Sequence, residues 1–362
     1  MRSKIVDRDN FWPINTSISR KLNTLPKKRA KKWYNTCMDI FISHESALEY
    51  WRLRGKARDK NEHVLRRKKP PVSPPHPSAF QTSKIQALSL PIDIIVGSPN
   101  ARRPLPEVRF NVCSSPLPDG SLIGVGDGLI VSSPEFCFFQ MASRLSLIKL
   151  VELGFELCGS YLLPSRNPLI AEGEINDVSD DKGIYNCKPL TNTKKLSTFV
   201  ARMAGTHGYK RASRALRFIA DNSASPMETI LVMLLSLPYK LGGYGLPTPQ
   251  LNSHIIPGKT IKRNASKTFY SCDLFWPDLN LAVEYDSDQF HTGADRIASD
   301  SKRRNALISA GIVVITVTRQ QIRNAIEFEK AAKLLASNMD KRLRYKNPGF
   351  AKAQRELRSQ LL

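Results

Sequence analysis

Residues 272–291 read CDLFWPDLNLAVEYDSDQFH, and this stretch decides the fold of the C-terminal part of the chain. Two apolar segments flank Pro277–Asn280, and the Pro, Asp and Asn of that segment are typical of a tight turn. The sequence therefore predicts a hairpin, with a first strand over Thr268–Trp276 and a second strand over Leu281–Asp286.

The predicted hairpin carries three carboxylates, Asp273 on its first strand and Glu284 and Asp286 on its second. Side chains two apart on a strand share a face, and the short turn brings the first strand beside the second. Like charges in an apolar sheet repel, and a hard divalent cation such as Mg²⁺ relieves that repulsion. The alternative is a hairpin with surface acids, but the neighbouring Leu274 and Val283 favour central strands.

Further elements surround the hairpin along the sequence. Glu228 stands at the third position of a helix that Ser225 caps, so a capping box explains it without any ligand role. The predicted order is α-β-β-α-β-α. The four elements outside the hairpin are a helix from Ser225 to Leu237, a helix from about Ala294 that ends at Gly311, a buried strand over Ile312–Thr318 and a helix from near Arg319.

These segments, with DSKRRNAL at 300–307 and GIVVITVT at 311–318, resemble the small PD-(D/E)XK proteins related to very-short-patch-repair endonucleases. The resemblance covers roughly residues 220–325 and implies a restriction-endonuclease-like core that cleaves DNA with Mg²⁺, or with Mn²⁺ as a substitute. Residues 40–160 are similar to AbiEi-type antitoxin modules in SHESALEYWR and IVSSPEFCFFQMASRLS.

The resemblance also implies roles for individual residues. Asp273, Glu284 and Glu228 would hold metal, Asp286 would be a ligand or orient water, and His291 would be the acid/base. On the next helix the family pattern matches an acid that would orient His291 and an arginine that would contact phosphate, and two further cations of this region are candidates for phosphate contacts. They are Asp300 and Arg303, with Arg296 and Lys302 beside them, and a salt-bridged surface stripe is the alternative.

The sequence departs from the superfamily in two places. Asp286 stands where the usual Glu-x-Lys has its lysine, and Ser287 replaces the glycine that follows in the small proteins. The first departure leaves open a nuclease fold with lost or weak activity that serves as a DNA-binding regulator.

For the chain as a whole the sequence predicts an α/β protein in several parts, with a mixed α+β module and a basic N-terminal arm before the C-terminal core. Five prolines between Pro70 and Pro77 predict an extended linker, and short β-type runs at Ile92–Val96, Val108–Val112 and Leu129–Val131 precede a helix over Pro134–Phe155. The predicted parts are a basic helical arm at 1–69, the linker at 70–79, a mixed α+β module at 80–163, a polar loop and basic connector at 164–215, the nuclease-like domain at 216–340 and a basic tail at 341–362.

The formal net charge of the 362-residue chain is +23, which favours a polyanionic partner. Residues 1–70 carry a net charge of +12, from 19 Lys and Arg against 7 Asp and Glu, whereas residues 225–320 are close to neutral. The basic clusters that would contact phosphate are Lys27 and Lys28 in the arm and Arg66 and Arg67 before the linker.

The six cysteines lack the close spacing of a zinc knuckle, and the longest apolar stretch is shorter than a membrane span. The sequence thus predicts a cytoplasmic protein with DNA as its partner, leaves RNA open, and indicates no membrane and no particular oligomeric state.

Overall fold

The computed structural model describes residues 39–55, 62–65, 69–75, 79–80, 82–164, 183–255, 270–286, 304–305, 307–345 and 348–362. The protein is of mixed α/β class. In chain order the elements up to residue 162 are β1 (Ile40–Ile42), α1 (His44–Arg54), β2 (His63–Leu65), α2 (Ser83–Gln86), β3 (Ile92–Val96), β4 (Val108–Val112), β5 (Leu122–Gly124), β6 (Leu129–Ser132), α3 (Pro134–Met141), α4 (Leu147–Cys158) and β7 (Tyr161–Leu162).

The second half of the described chain is richer in helices. Its elements are β8 (Ile184–Tyr185), α5 (Thr193–Arg202), α6 (Tyr209–Leu216), α7 (Pro226–Ser236), β9 (Gln250–Ile255), β10 (Tyr270–Trp276), β11 (Leu281–Asp286), β12 (Val313–Thr318), α8 (Arg319–Arg323), α9 (Ala325–Asn338) and α10 (Phe350–Leu361). Residues 304–305 and 307–309 are also helical.

The chain divides into two compact units that alternate along the sequence. Unit 1 takes the described residues of Met1–Arg144, Leu162–Ile184 and Lys195–Lys210, and unit 2 those of Leu145–Tyr161, Tyr185–Lys194 and Arg211–Leu362. The core proposed from sequence at 216–340 thus lies within unit 2, which also includes α4 from upstream and α10 from downstream.

Unit 1 is built on a six-stranded mixed sheet of order β2-β5-β6-β1-β3-β4. The three strands predicted from sequence are present as β3, β4 and β6, and the wholly buried β1 pairs in parallel with β6. The Pro-rich segment does not separate two sheets, because β1 and β2 before it share one sheet with the strands after it. Pro71 lies against that sheet, where its carbonyl accepts a hydrogen bond from the Gly97 N–H at 2.8 Å.

One predicted helix of the middle region is two helices in the structure. The sequence predicts a continuous helix over Pro134–Phe155, but α3 ends at Met141 and α4 begins at Leu147. The prediction is wrong because Ser146 caps a new helix, with its hydroxyl accepting the Lys149 N–H at 3.2 Å. The two helices belong to different units.

Unit 2 contains a four-stranded sheet of order β12-β11-β10-β9. Strand β11 pairs antiparallel with β10 and parallel with β12, so the predicted hairpin forms the centre of the sheet. Strand β12 is present but only partly buried, with Val313 47% exposed. The sequence predicts a buried strand there, but within β12 only Val317 is fully buried, because β12 lies at an edge of this sheet.

The ends of the chain segments in unit 2 follow local sequence signals. Gly311 adopts φ +77° after the helical residues 307–309, as its predicted place at a helix C-terminus requires. Thr318 forms a capping box with Gln321 at the start of α8. The residues predicted as a basic tail contain α10, whose Phe350, Leu357 and Leu361 are buried.

No helix in the described ranges is long and apolar enough to cross a membrane. Five of the cysteines lie in those ranges, at 113, 137, 158, 187 and 272, and all five are free thiols.

Candidate active site

The register of the β10–β11 hairpin leads to two of the three predicted carboxylates. Starting at the turn, Trp276 pairs with Leu281, Phe275 with Ala282 and Leu274 with Val283. The next residues away from the turn are Asp273 on β10 and Glu284 on β11. Leu274 and Val283 are fully buried, which confirms the prediction of central strands. By strand alternation, Glu284 shares its side of the sheet with Asp286.

Asp273 accepts a hydrogen bond from the Tyr285 N–H at 2.7 Å, so its carboxylate lies against the backbone of β11. On its other side β10 pairs with β9, a strand that the sequence analysis missed. In that pairing Asn252 lies at the position opposite Asp273, and it adopts φ +47° in the middle of the strand. Asparagine tolerates this left-handed conformation better than most residues.

Helix α7 brings Glu228 to the same place. Ser225 caps the helix as predicted, with its hydroxyl accepting the Glu228 N–H at 3.2 Å and donating to the Glu228 carboxylate at 2.9 Å. The carboxylate also accepts the Ala224 N–H at 2.9 Å and the Asn252 side-chain amide at 2.7 Å. The backbone N–H that the Glu228 carboxylate accepts is thus that of Ala224, the residue before the cap, and not that of Ser225 itself. The bond from Asn252 connects β9 to α7.

The electrostatics show that Glu228 and Asp273 are near neighbours. Burial raises the pKa of Glu228, the charge of Asp273 raises it further, and three hydrogen bonds partly offset both effects, which leaves a pKa of about 7. A carboxylic acid in water has a pKa near 4.5. At neutral pH this pair therefore holds a proton part of the time, because two close carboxylates resist simultaneous ionisation.

A cation that the sequence analysis did not select also lies at this sheet. Glu284 pairs with Thr316 of β12, so their side chains lie on the same side. The Thr316 hydroxyl accepts a hydrogen bond from the Arg304 guanidinium. Two residues before Glu284 in β11, Ala282 packs with Leu307 in a buried cluster, which holds the helical residues 307–309 against the sheet.

Four predicted site residues are described by the structure, and the others are not. Glu228 and Asp273 come together, Glu284 follows Asp273 in the register, and Asp286 lies at the end of β11 beside Thr318. The predicted residues outside the described part of the chain are His291, Arg296, Asp300, Lys302 and Arg303, and the basic residues Lys27, Lys28, Arg66 and Arg67.

Within the described ranges, no three His, Cys, Asp or Glu side chains lie together in a metal-binding arrangement. Mg²⁺ usually takes only one or two protein carboxylates and completes its shell with water and phosphate oxygens. The Glu228–Asp273 pair meets that need, because a divalent cation stabilises two carboxylates that otherwise compete for a proton. The residues present therefore fit Mg²⁺.

Comparisons with known proteins reach only part of the chain. Two curated relatives, both described as uncharacterized proteins, are MT2308 and Rv2248 of Mycobacterium tuberculosis strains CDC 1551 and H37Rv. Each is 26% identical over 149 residues, which are 41% of this chain and 49% of the relative. The chain thus spans about half the length of the curated relatives it matches. No family model and no solved structure matches the chain.

Proposed function

We propose that unit 2 is a Mg²⁺-dependent DNA endonuclease with a restriction-endonuclease-like core of the PD-(D/E)XK kind. The order of its elements supports the proposal, since α7 precedes the β10–β11 hairpin and a helical segment precedes β12 and α8. The extra strand β9 lies at the edge of the sheet, beside β10, and leaves this order intact.

The observation that carries the proposal is the convergence of Glu228 and Asp273. One comes from the first turn of a helix and the other from a central strand, and burial plus mutual repulsion raise the pKa of Glu228 to about 7. Holding a buried carboxylate beside a second, half-buried one costs the fold free energy through their repulsion, and a bound metal ion would relieve that cost.

In the proposed enzyme Glu228 and Asp273 would hold Mg²⁺, and Glu284, at the next position of the register, would contact it through a bound water. When bound, the metal lowers the pKa of a water and offsets charge on the scissile phosphodiester. Asn252 holds the Glu228 carboxylate in place through its 2.7 Å bond. Arg304 provides a positive charge on the Glu284 side of the sheet, where the family's lysine is replaced by Asp286, and His291 keeps its predicted acid/base role.

Cleavage of supercoiled plasmid by the full-length protein tests this function. We expect nicking with Mg²⁺ or Mn²⁺ and none in EDTA. Asp273→Ala and Glu284→Ala should each lower the rate at least about a hundred-fold while DNA binding persists. The matched control is Asp278→Ala, since Asp278 is an exposed acid in the turn of the same hairpin and should cut normally.

A second function, a DNA-binding regulator with a nuclease fold, is favoured by two observations. Asp286 replaces the family's lysine, and the Glu228 carboxylate already accepts hydrogen bonds from three neutral donors. If wild type and variants bind DNA alike and none cuts with any metal, this second function replaces the first. The likeness of residues 40–160 to AbiEi-type modules remains a prediction that suits this alternative.

A further inference from the structure

Unit 2 has an open groove of about 910 Å³ beside the C-terminal end of α9. It is lined by one turn and a half of that helix and by the loop that follows it. Four cations and one acid line the groove, namely Lys333, Lys341, Arg342, Arg344 and Asp340. The groove therefore carries a net positive charge.

The loop over residues 341–345 is held in a defined conformation. Asp340 adopts φ +49° just after α9, and the Lys341 N–H then bonds to the Ala336 carbonyl at 2.8 Å. Further along, the Arg344 N–H bonds to the Tyr239 hydroxyl at 2.9 Å. The loop thus turns back along the helix instead of leaving it.

An aromatic ring completes the groove. Lys333 lies 4.9 Å from the centre of the Tyr345 ring and also pairs with Glu329 at 2.6 Å. This contact fixes the far end of the loop against the helix. Fixed loops lose little conformational entropy when a partner binds, which favours binding over a flexible tail.

The three remaining cations have no acidic partner in the described part of the chain. Lys341, Arg342 and Arg344 are all exposed, and none of them forms an ion pair there. Cations after a helix also stabilise its negative end, but this effect falls off within the last turn. Three unpaired cations on one fixed loop exceed that need.

We infer that this groove binds the phosphodiester backbone of duplex DNA. Its spaced positive charges match successive phosphates, and arginine binds phosphate through two parallel hydrogen bonds. The inference takes its partner from the proposed function. Binding measured in EDTA, where no cleavage occurs, separates its outcome from that of the nuclease proposal.

The test compares two triple variants of the full chain by fluorescence anisotropy with a labelled duplex. The groove variant carries Lys341→Gln, Arg342→Gln and Arg344→Gln. Its matched control removes equal charge from exposed positions of unit 2 outside the groove, as Lys188→Gln, Arg214→Gln and Arg217→Gln. We expect the groove variant to bind at least about tenfold more weakly, while the control changes little. The slope of log K against log salt concentration should become less steep by about 2.7, which is about 0.9 for each of three lost phosphate contacts.

A charge-preserving variant guards against a folding defect. Lys341→Arg, Arg342→Lys and Arg344→Lys together keep all three charges and should bind DNA more tightly than the groove variant. Equal losses in the groove and control variants would overturn the inference, because binding would then depend on total charge alone. Wild-type affinity in the groove variant would also overturn it, as would duplex RNA that competes as well as DNA.

Discussion

Asp93 in unit 1 and Glu228 in unit 2 are both buried carboxylates, 1% and 7% exposed. Asp93 lies on β3 and forms an ion pair with Arg144, which follows α3. The Arg144 guanidinium donates two hydrogen bonds to the Asp93 carboxylate at 2.8 Å, and the Asn111 amide donates another at 3.0 Å. Burial alone would raise the pKa of Asp93, but these bonds and the charge of Arg144 lower it below its usual value. Around Glu228 the neighbouring charge is that of Asp273, and the pKa rises.

The two carboxylates therefore differ in the sign of the charge beside them, which is positive for Asp93 and negative for Glu228. Unit 1 supplies the positive charge for Asp93 from its own chain, and His44 beside this cluster has a pKa lowered to about 4 by burial and by Arg144. The cluster is therefore complete without a ligand. At Glu228 the three hydrogen-bond donors to the carboxylate are neutral, namely the Ala224 N–H, the Ser225 hydroxyl and the Asn252 amide, so they do not supply the positive charge that Arg144 gives Asp93.

The largest change in stability is expected when the Asp93–Arg144 ion pair of unit 1 is broken. Arg144→Met should lower the free energy of unfolding of unit 1 by about 3 kcal/mol, because it leaves Asp93 buried without its main partner. Denaturant unfolding followed by hydrogen exchange of β1 and β3 measures it. Arg109→Met is the control, since Arg109 is half-exposed and 3.4 Å from Asp93, and should cost less than about 1 kcal/mol.

The double variant Asp93→Asn with Arg144→Met should recover at least half of that loss, since no buried charge remains. A double variant as unstable as Arg144→Met would show that packing of Arg144, not its charge, stabilises unit 1.

A second variant tests whether the raised pKa of Glu228 destabilises unit 2, the opposite of what the ion pair does in unit 1. Below pH 4.5 Glu228 is protonated in folded and unfolded chains alike, and between 4.5 and about 7 only the folded chain keeps the proton. The stability of metal-free wild type should therefore fall as pH rises through that window. Glu228→Gln should remove this slope and be more stable by about 3 kcal/mol at pH 8, measured by urea unfolding in EDTA.

Glu327→Gln is the control for that variant, because Glu327 is a half-exposed acid on α9 that pairs with the exposed Lys330, and its change should stay below about 0.5 kcal/mol. If Glu228→Gln is less stable than wild type at pH 8 without metal, the carboxylate is a structural cap and the contrast with Asp93 disappears.

The smallest effect is that of the metal itself. Mg²⁺ at ten times its dissociation constant should stabilise unit 2 by about 1.4 kcal/mol, because it binds the folded state alone. Thermal unfolding with and without Mg²⁺ measures the gain, and hydrogen exchange should locate it in β10 and β11. Asp273→Asn should abolish it. Equal stabilisation of unit 1, or of the variant, would indicate general salt binding.

The sequence predicts the local parts of the candidate site well. The tight turn at Pro277–Asn280, the apolar strands on either side and the cap at Ser225 all depend on neighbouring residues, and the structure contains each of them. The position of Glu228 at the third residue of its helix followed from the same local pattern. Strand order within the sheet of unit 2 also agrees with a short hairpin turn.

Contacts between segments far apart in the sequence could not be predicted from local sequence patterns. Strand β9 has polar residues at its centre, Asn252, Ser253 and His254, and is a strand because β10 offers it a partner. The bond from Asn252 to Glu228 spans 24 residues, and that from Arg144 to Asp93 spans 51. Hydrophobic pattern and turn signals carry no information on such pairs.

The alternation of the two units along the chain has a consequence for how this gene can change. Helix α7, which bears Glu228, packs against α4, and Tyr161 just after α4 bonds to Thr229 of α7 at 2.8 Å. Segments of unit 1 lie between them in the sequence. Recombination anywhere between the codons for 162 and 225 would give the helix that bears Glu228 a foreign neighbour. An exchange of the C-terminal part alone would therefore separate the Glu228 helix from the segment against which it packs.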